Sequence, residues 1–594
     1  VGRAESIASL VARLPAAALP ALASDDAVAW IEEAPRLLTG SNDDVRASLG
    51  VEGLWSDPVR GVTGGGVRVL VFDQGRVDEA HADFGGRVIV GDAVAVSDHS
   101  THVAGTLAGD GTRSGGLYAG TAPAARIISY ALGSFNAGIF LYSNPGDLEA
   151  DFSAALQQHG ASLANLSLGS NVRLNGYPCS IVGDYGVTDA LLDAIVTGSL
   201  GPPLPLVLAG GNERPNPACG LDYATTSPPA GAKNALSVGA INSDDDTMTS
   251  FSAWGPTDDG RIKPDLVAPG CQVTGDGTVT STFPGDTYGS ICGTSMAAPA
   301  VAGVLALLLE DSRARGLPDP PPASLRALAY HTALDLGDPG PDFKFGYGKL
   351  SPRRALDALR AGAVRRDSVG HGQTRVFAVE VPDAGVPFLA TLVWDDPPAS
   401  AGAALTLVND LDLRVFDPSG ARHHPWTLDP DAPALPAARS AEDHRNNVEQ
   451  VAVAPAGLAG LWRVEVAGSS VAAGTSQPFS LIVSSGAAGP VPDRFVLLDR
   501  RFYRCLDTAG IGLRDAGLAG AGATDVVVAS STQPAGVTVT LLEQALPGEF
   551  SGQVDLGAQI QVSDGDVLTV SHALAGSAAA SVDCVAPAIT QAIV

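Results

Sequence analysis

Three side chains far apart along the chain, together with one amide, have the types needed to hydrolyse a peptide bond. Asp73 follows the apolar run "VRVLVF", where a strand should stop and the chain turn at Gly75. His99 lies in "DHSTHVAGTLAGDG", which continues as a helix of small residues. Ser295 follows Gly293-Thr294 and opens the run "SMAAPAVAGVLALLLE", so it should start a helix. Free N–H groups and the helix dipole favour negative charge there. Asn212 ends "LVLAGGN", a second strand end. A serine hydroxyl is a weak nucleophile and needs a base beside it. Histidine supplies that base and later the acid, and a carboxylate orients its ring and stabilises its cation. The developing oxyanion needs fixed donors, which the Asn212 amide and the Ser295 N–H could provide. Gly293 should let substrate approach the backbone, and Ala297, Ala298 and Gly303 should let the helix pack tightly, with Leu305, Leu308 and Leu309 burying it. Pro299 is expected within the first helical turn, where a missing N–H costs little.

Such residues need a rigid frame. Apolar runs at Val67–Phe72, Ala125–Ala131, Ser162–Leu168, Leu204–Ala209 and Ala235–Val238 read as buried strands, with helices predicted over Asp147–Gln158 and Val187–Thr197. Continuous apolar strands alternating with helices predict an α/β fold with a doubly wound, mainly parallel sheet. Ligands of such sheets sit beyond the carboxyl ends of the strands. After Arg365 the period changes to two, as in "LTLVNDLDLRVFD" and "LWRVEVAG", and again in "GVTVTLLE". Two all-β sandwich or jelly-roll domains are therefore expected. The expected division is an N-terminal extension over 1–40, a catalytic domain over 41–363, a β jelly roll over 364–488 and a small β sandwich over 489–594.

Composition sets outer bounds. The chain has 594 residues, 45% of them hydrophobic and 17% charged, with 70 Gly and 42 Pro, which suits a loop-rich globular protein. A net charge of −28 offers no basic stripe for phosphates, so nucleic acid is not an expected partner. No uninterrupted apolar run reaches the roughly 18 residues of a membrane span. The six cysteines, Cys179, Cys219, Cys271, Cys292, Cys505 and Cys584, contain no CxxC pair, which favours disulfides in an oxidising compartment over zinc. Six cysteines allow about fifteen connectivities; pairing nearest neighbours gives 179–219, 271–292 and 505–584. The chain opens at Val1 without Met or leader and is read as an already trimmed product.

The four segments resemble the subtilisin-like serine protease family (the subtilases). So do "GTAPAARI" (120–127), "NLSLGS" (165–170), "SFSAWGP" (250–256) and "KPDLVAPG" (263–270), in order over roughly residues 60–360. The resemblance implies Asp73, His99 and Ser295 as a catalytic triad, with His99 the general base, and Asn212 with the Ser295 N–H as oxyanion hole. It implies that Ser167-Leu168-Gly169 and Ala209-Gly210-Gly211 flank the primary specificity pocket, which small residues should leave open for apolar or aromatic side chains. A secreted, broadly specific endopeptidase acting on proteins is expected, without organic cofactor and as a monomer. Three departures stand out: Gln74 where Thr or Ser is usual, Ser100 where Gly is usual, and Cys292 before Gly-Thr-Ser. Ser100 should strain the helix start, and Cys292 could join Cys271 and stiffen the nucleophile loop. The region of Asp395, Asp396, Asp410 and Asp412, with "DHRNNVEQV", resembles the β-barrel domain of some alkaline subtilases, which implies calcium held by these carboxylates. Residues 1–40, with "DDAVAWIEEAP", resemble the tail of the family's inhibitory propeptide, so the chain's own propeptide is an expected partner, cut near residues 38–42.

Rival residues have plainer readings. His102, one turn past His99, is expected to be a hydrogen-bonded core residue, His81 a loop residue and Asp98 a solvated or capping residue. Asp78 and Glu79 suggest a sedolisin-like carboxylate pair, which the His99 motif opposes. Gly64-Gly65-Gly66 precede a strand instead of following one, so they are not a dinucleotide loop. Two other functions compete: a protease-like scaffold that has lost activity and binds through its β domains, and a processing protease of narrow specificity.

Overall fold

A computed structural model describes residues 2–4, 9–11, 42–132, 145–170, 172, 177–216, 219–272, 278–381, 383–455, 457–484, 494–498, 502–543, 548–582 and 584. Val1–Gly40 is a compact unit by itself, in which Gly2–Ala4 pairs antiparallel with Ser9–Val11. The stretch "DDAVAWIEEAP" and residues 38–41 of the expected cleavage region lie outside the described residues.

Ser41–Val594 forms the second unit. Its first part is built on seven parallel strands: β1 (Arg68–Asp73), β2 (Val88–Val90), β3 (Arg126–Ala131), β4 (Leu163–Leu166), β5 (Leu206–Ala209), β6 (Leu236–Asn242) and β7 (Leu266–Cys271), in the spatial order β2-β3-β1-β4-β5-β6-β7. Alternation along β1 divides its side chains between two cores. Val69 and Val71 face α1 (Asp98–Ala108) and α4 (Thr294–Ala314), while Leu70 and Phe72 face α2 (Pro145–Gln157) and α3 (Val187–Val196). Both faces are thus covered, which is why the strands read as unbroken apolar runs. The chain leaves β1 on one side for β2 and β3 and later returns on its other side as β4, so the carboxyl end of β1 is the switch point where such sheets bind ligands. Asp73 is the last residue of β1. Helix α4 is 21 residues long, long and apolar enough to cross a membrane by length alone, but 89% of its most apolar stretch is buried inside the protein.

Between β7 and α4 the chain makes a hairpin of β8 (Val279–Phe283) and β9 (Thr287–Ile291). The hairpin leans on α1 through Ser281 Oγ and Thr282 Oγ1, which donate to the carbonyls of His102 and Thr101 at 3.1 and 2.7 Å. Cys271 and Cys292 close this excursion with a disulfide, and 179–219 and 505–584 are also bonded, with Cα separations of 5.0, 5.6 and 5.0 Å respectively. Nearest-neighbour pairing holds for all six cysteines.

Residues 364–484 form a sandwich of two antiparallel four-stranded sheets. β10 (Val364–Val369), β17 (Gln477–Ser484), β12 (Phe388–Val393) and β15 (Val448–Val453) make one; β11 (Thr374–Val381), β16 (Gly460–Val471), β13 (Asn409–Phe416) and β14 (Arg422–His423) make the other. Their shared core holds Trp394 and Trp462, both fully buried. The seam with the parallel-sheet part is polar. Lys233 Nζ pairs with Asp396 and donates to the carbonyls of Pro397 and Thr406, both at 2.7 Å. Arg326, on α5 (Pro322–Thr332), donates to the Trp394 carbonyl and to Asp395 Oδ1 at 2.7 and 2.9 Å.

The last domain corrects the expectation of a second sandwich. Its eight strands, from Arg494–Leu498 to Gly576–Val582, join into one sheet around one apolar core that runs from Val496 to Val582. A single sheet that buries a common core must curl around it, so alternation along the strands serves the inside and outside of a rolled sheet.

Candidate active site

The β1 strand delivers Asp73, fully buried, to the switch point. Its Oδ1 accepts from Gln74 N at 2.7 Å and pairs with His99 Nδ1 at 2.8 Å, while Oδ2 has no hydrogen-bond partner among the described residues. Gly75 matters here for close approach. A Cβ there would lie 2.7 Å from Ser97 Cβ and 3.0 Å from the Ala95 carbonyl, in the strand-like segment that leads into α1. Ser97 caps α1 by accepting from Ser100 N, and His99 sits in the first turn with 19% of its side chain exposed. The strain expected from Ser100 is absent: α1 runs unbroken through it, with the Ser100 side chain buried. Burial works against the His99 cation, but the Asp73 charge and hydrogen bond outweigh it and hold the imidazole above its ordinary value.

α4 delivers Ser295. Gly293 N donates to the Gly270 carbonyl at 3.0 Å, and Thr294 N and Oγ1 both donate to Asn212 Oδ1 at 2.9 Å. Thr294 Oγ1 in turn accepts from Gly211 N at 3.2 Å. Committing its oxygen to Thr294 leaves the exposed Asn212 amide with Nδ2 as its outward group. A Cβ placed on Gly293 would lie 3.2 Å from Asn212 Nδ2 and 3.6 Å from Ser295 N. The missing side chain therefore keeps clear the one spot that both donors face.

Ser167 is bound to Ser295 twice. Its hydroxyl donates to the Ser295 carbonyl at 3.0 Å, and its carbonyl accepts from Ser295 Oγ at 3.2 Å. The first bond corrects the reading of Pro299, which lies beyond the first turn, four residues after Ser295. A proline there withholds the N–H that would bind the Ser295 carbonyl, and Ser167 Oγ takes its place, itself held by Asn165 Nδ2 at 3.1 Å. Ser167 and Thr294 thus hold the turn that carries Ser295, a positioning role that only their places inside "NLSLGS" and "GTSM" hinted at.

The two expected pocket segments differ. Gly210 N and Gly211 N are committed to the Val238 carbonyl and Thr294 Oγ1 at 2.8 and 3.2 Å, so Ala209-Gly210-Gly211 forms a fixed wall. Gly169 is exposed with open space where a Cβ would stand, and no backbone bond ties Leu168 or Gly169 among the described residues. The residues weighed against His99 and Asp73 are occupied. His102 Nε2 meets the Val279 carbonyl at 2.9 Å, and burial pushes this ring down to about 3. His81 Nε2 meets the Thr287 carbonyl at 2.9 Å. Asp98 is exposed, Asp78 accepts from Ala80 N and Gly285 N, and Glu79 pairs with Arg76. The glycine run at 64–66 meets a carboxylate, since Thr63 N and Gly64 N donate to Glu310 Oε2 at 2.6 Å.

The four carboxylates expected to share calcium part company. Asp395 and Asp396 are committed to Arg326 and Lys233 at the domain seam, so they do not fit a metal. Asp410 and Asp412 keep Oδ1 atoms that are buried and without a hydrogen-bond partner, as is Oε1 of neighbouring Glu449, so a cation fits there, some distance along the chain from the triad.

The family model described as "Subtilase family" matches residues 71–348. The alkaline protease of Shouchella clausii is 32% identical over 317 residues, covering 52% of this chain and 70% of that protein. Subtilisin Savinase of Lederbergia lenta is 34% identical over 260 residues, covering 43% and 80%. Serine protease AprX of Bacillus subtilis (strain 168) is 29% identical over 321 residues, covering 50% and 67%. With this likeness spanning the sheet, the switch point and α4, the chain belongs to the subtilase family and is a serine endopeptidase.

Proposed function

We propose that the enzyme is secreted and cleaves peptide bonds of proteins with broad specificity, using Asp73, His99 and Ser295 as its triad. The cleared space at Gly293, facing Asn212 Nδ2 and Ser295 N, carries this reading, because a carbonyl oxygen placed there would gain both donors as its charge develops. His99 Nε2 takes the proton of Ser295 Oγ as the hydroxyl attacks, and Asp73 stabilises the imidazolium. To donate to His99, the Ser295 hydroxyl must give up its bond to the Ser167 carbonyl. His99 then hands its proton to the leaving amine, and water, deprotonated by the same ring, releases the acyl group from Ser295. The open backbone at Leu168-Gly169 supports an extended peptide paired along it. Three disulfides support secretion.

A fluorophosphonate should label Ser295, and Ser295→Ala should lose both labelling and casein hydrolysis while keeping its fold. A folded wild-type protein that neither reacts with the probe nor hydrolyses casein would refute the enzyme reading and leave a binding scaffold. Cleavage-site profiling on a peptide library showing one narrow motif would refute broad specificity alone.

A further inference from the structure

Strand β13 sets Asp410 and Asp412 two residues apart on the face of the sandwich that its core residues Leu411, Leu413 and Val415 do not use. The segment before β15 folds over this face. It places His444 Nδ1 at 2.8 Å from Asp410 Oδ2 and 3.6 Å from Asp412 Oδ1. One ligand atom from each of the three residues lies within 4.8 Å of the others. Asp412 is 1% exposed, and its Oδ1, turned toward His444, has no hydrogen-bond partner. Its Oδ2 is fixed by Arg414 Nη2 at 2.8 Å and by the Ser469 hydroxyl, so Oδ1 cannot swing away to find a donor. Asp410 Oδ1 and Glu449 Oε1 are buried without partners as well. A buried carboxylate oxygen held without a donor costs stability unless a cation meets it.

We infer that Asp410, Asp412 and His444 form a binding site for a divalent transition ion of the zinc class, in place of the calcium implied by resemblance. Calcium takes six to eight oxygen ligands, and an imidazole nitrogen standing between the carboxylates suits it poorly. Imidazole with carboxylates is the ligand set of zinc, cobalt and manganese. Arg414 and Ser469 orient the Asp412 carboxylate from outside the site. His444, 54% exposed, leaves the remaining positions to water. The ion would also fasten the segment that docks the sandwich on the catalytic part. Two residues beyond His444, Asn446 Oδ1 accepts from Ile262 N at 2.8 Å, and Asn447 Nδ2 donates to Asn234 Oδ1 at 2.9 Å.

The test uses the full chain carrying Ser295→Ala, which prevents self-digestion, stripped on a chelating resin and titrated with Zn²⁺, Co²⁺ or Ca²⁺ in a calorimeter. One equivalent of Zn²⁺ should bind, Co²⁺ should give a visible ligand-field spectrum, and the melting temperature should rise with Zn²⁺. His444→Ala, an exposed position that spares the fold, should weaken Zn²⁺ by roughly a hundredfold and abolish the Co²⁺ spectrum. Asp412→Asn should do the same. No stoichiometric Zn²⁺, Zn²⁺ binding that His444→Ala leaves unchanged, or binding of Ca²⁺ alone would overturn the assignment.

Discussion

Gly293→Ala should silence the enzyme while leaving it folded. The backbone at Gly293 is extended, at φ 163° and ψ 164°, which an alanine adopts without strain. The added methyl would stand 3.2 Å from Asn212 Nδ2 and 3.6 Å from Ser295 N, in the space that the proposed mechanism gives to the substrate oxygen. Losing one oxyanion donor typically costs about 2.7–4 kcal/mol of barrier. A methyl that denies the oxygen both donors should cost about twice that, roughly 5–8 kcal/mol. At about 1.4 kcal/mol per decade this is four to six orders of magnitude in kcat. Asn212→Ala removes one donor and should lose only the typical two to three orders. The assay is kcat and KM on a chromogenic peptide for both variants, with circular dichroism and melting to confirm the fold. KM should change little, since the ground-state carbonyl gains little from this pocket. A folded Gly293→Ala enzyme within tenfold of wild-type kcat, or less impaired than Asn212→Ala, would refute the assignment of that space to the oxyanion.

Asp73→Asn should lower the His99 pKa, since it removes the charge that holds the ring above its ordinary value; kcat/KM, which needs the neutral ring, should keep its acid limb but shift it to lower pH, with activity down roughly four orders of magnitude. Lys233→Met should destabilise the protein by about 3–5 kcal/mol in urea unfolding of the Ser295→Ala background, because Asp396 would stay buried without its cation, and adding Asp396→Leu should not restore the loss, because Val408 N and Asn409 N, which donate to Asp396, would lose their acceptor. Replacing Cys271 and Cys292 together by Ala should cost roughly 3 kcal/mol for a loop of this length and lower kcat more than it raises KM, read by the same unfolding and peptide assays.

The sequence carried the frame of the site further than its wiring. Strand β1 and the starts of α1 and α4 were readable because an apolar run ends at Asp73 and small-residue helices begin at His99 and Ser295. Strand β2 escaped because three residues are too few for a period. Strand β7 escaped because Pro269 and Gly270 disguise it; it lies at the sheet edge, where proline is tolerated. Alternation in the last hundred residues gave strands and faces but could not tell two stacked sheets from one rolled sheet, since both use period two. Long-range pairing was out of reach altogether. Asp395 and Asp396 look like companions of Asp410 and Asp412 along the chain, yet Arg326 and Lys233, far upstream, claim them. His444 enters its cluster from a loop 34 residues beyond Asp410, a separation without periodic signature.

The proline four residues beyond Ser295 has a consequence for the newborn chain. A helix beginning at Thr294 could coil early by itself, but the carbonyl of its serine would stay unanswered until the strand leading to Ser167 had taken its place in the sheet. The fixed geometry of the Ser295 turn is thereby tied to completion of the central sheet.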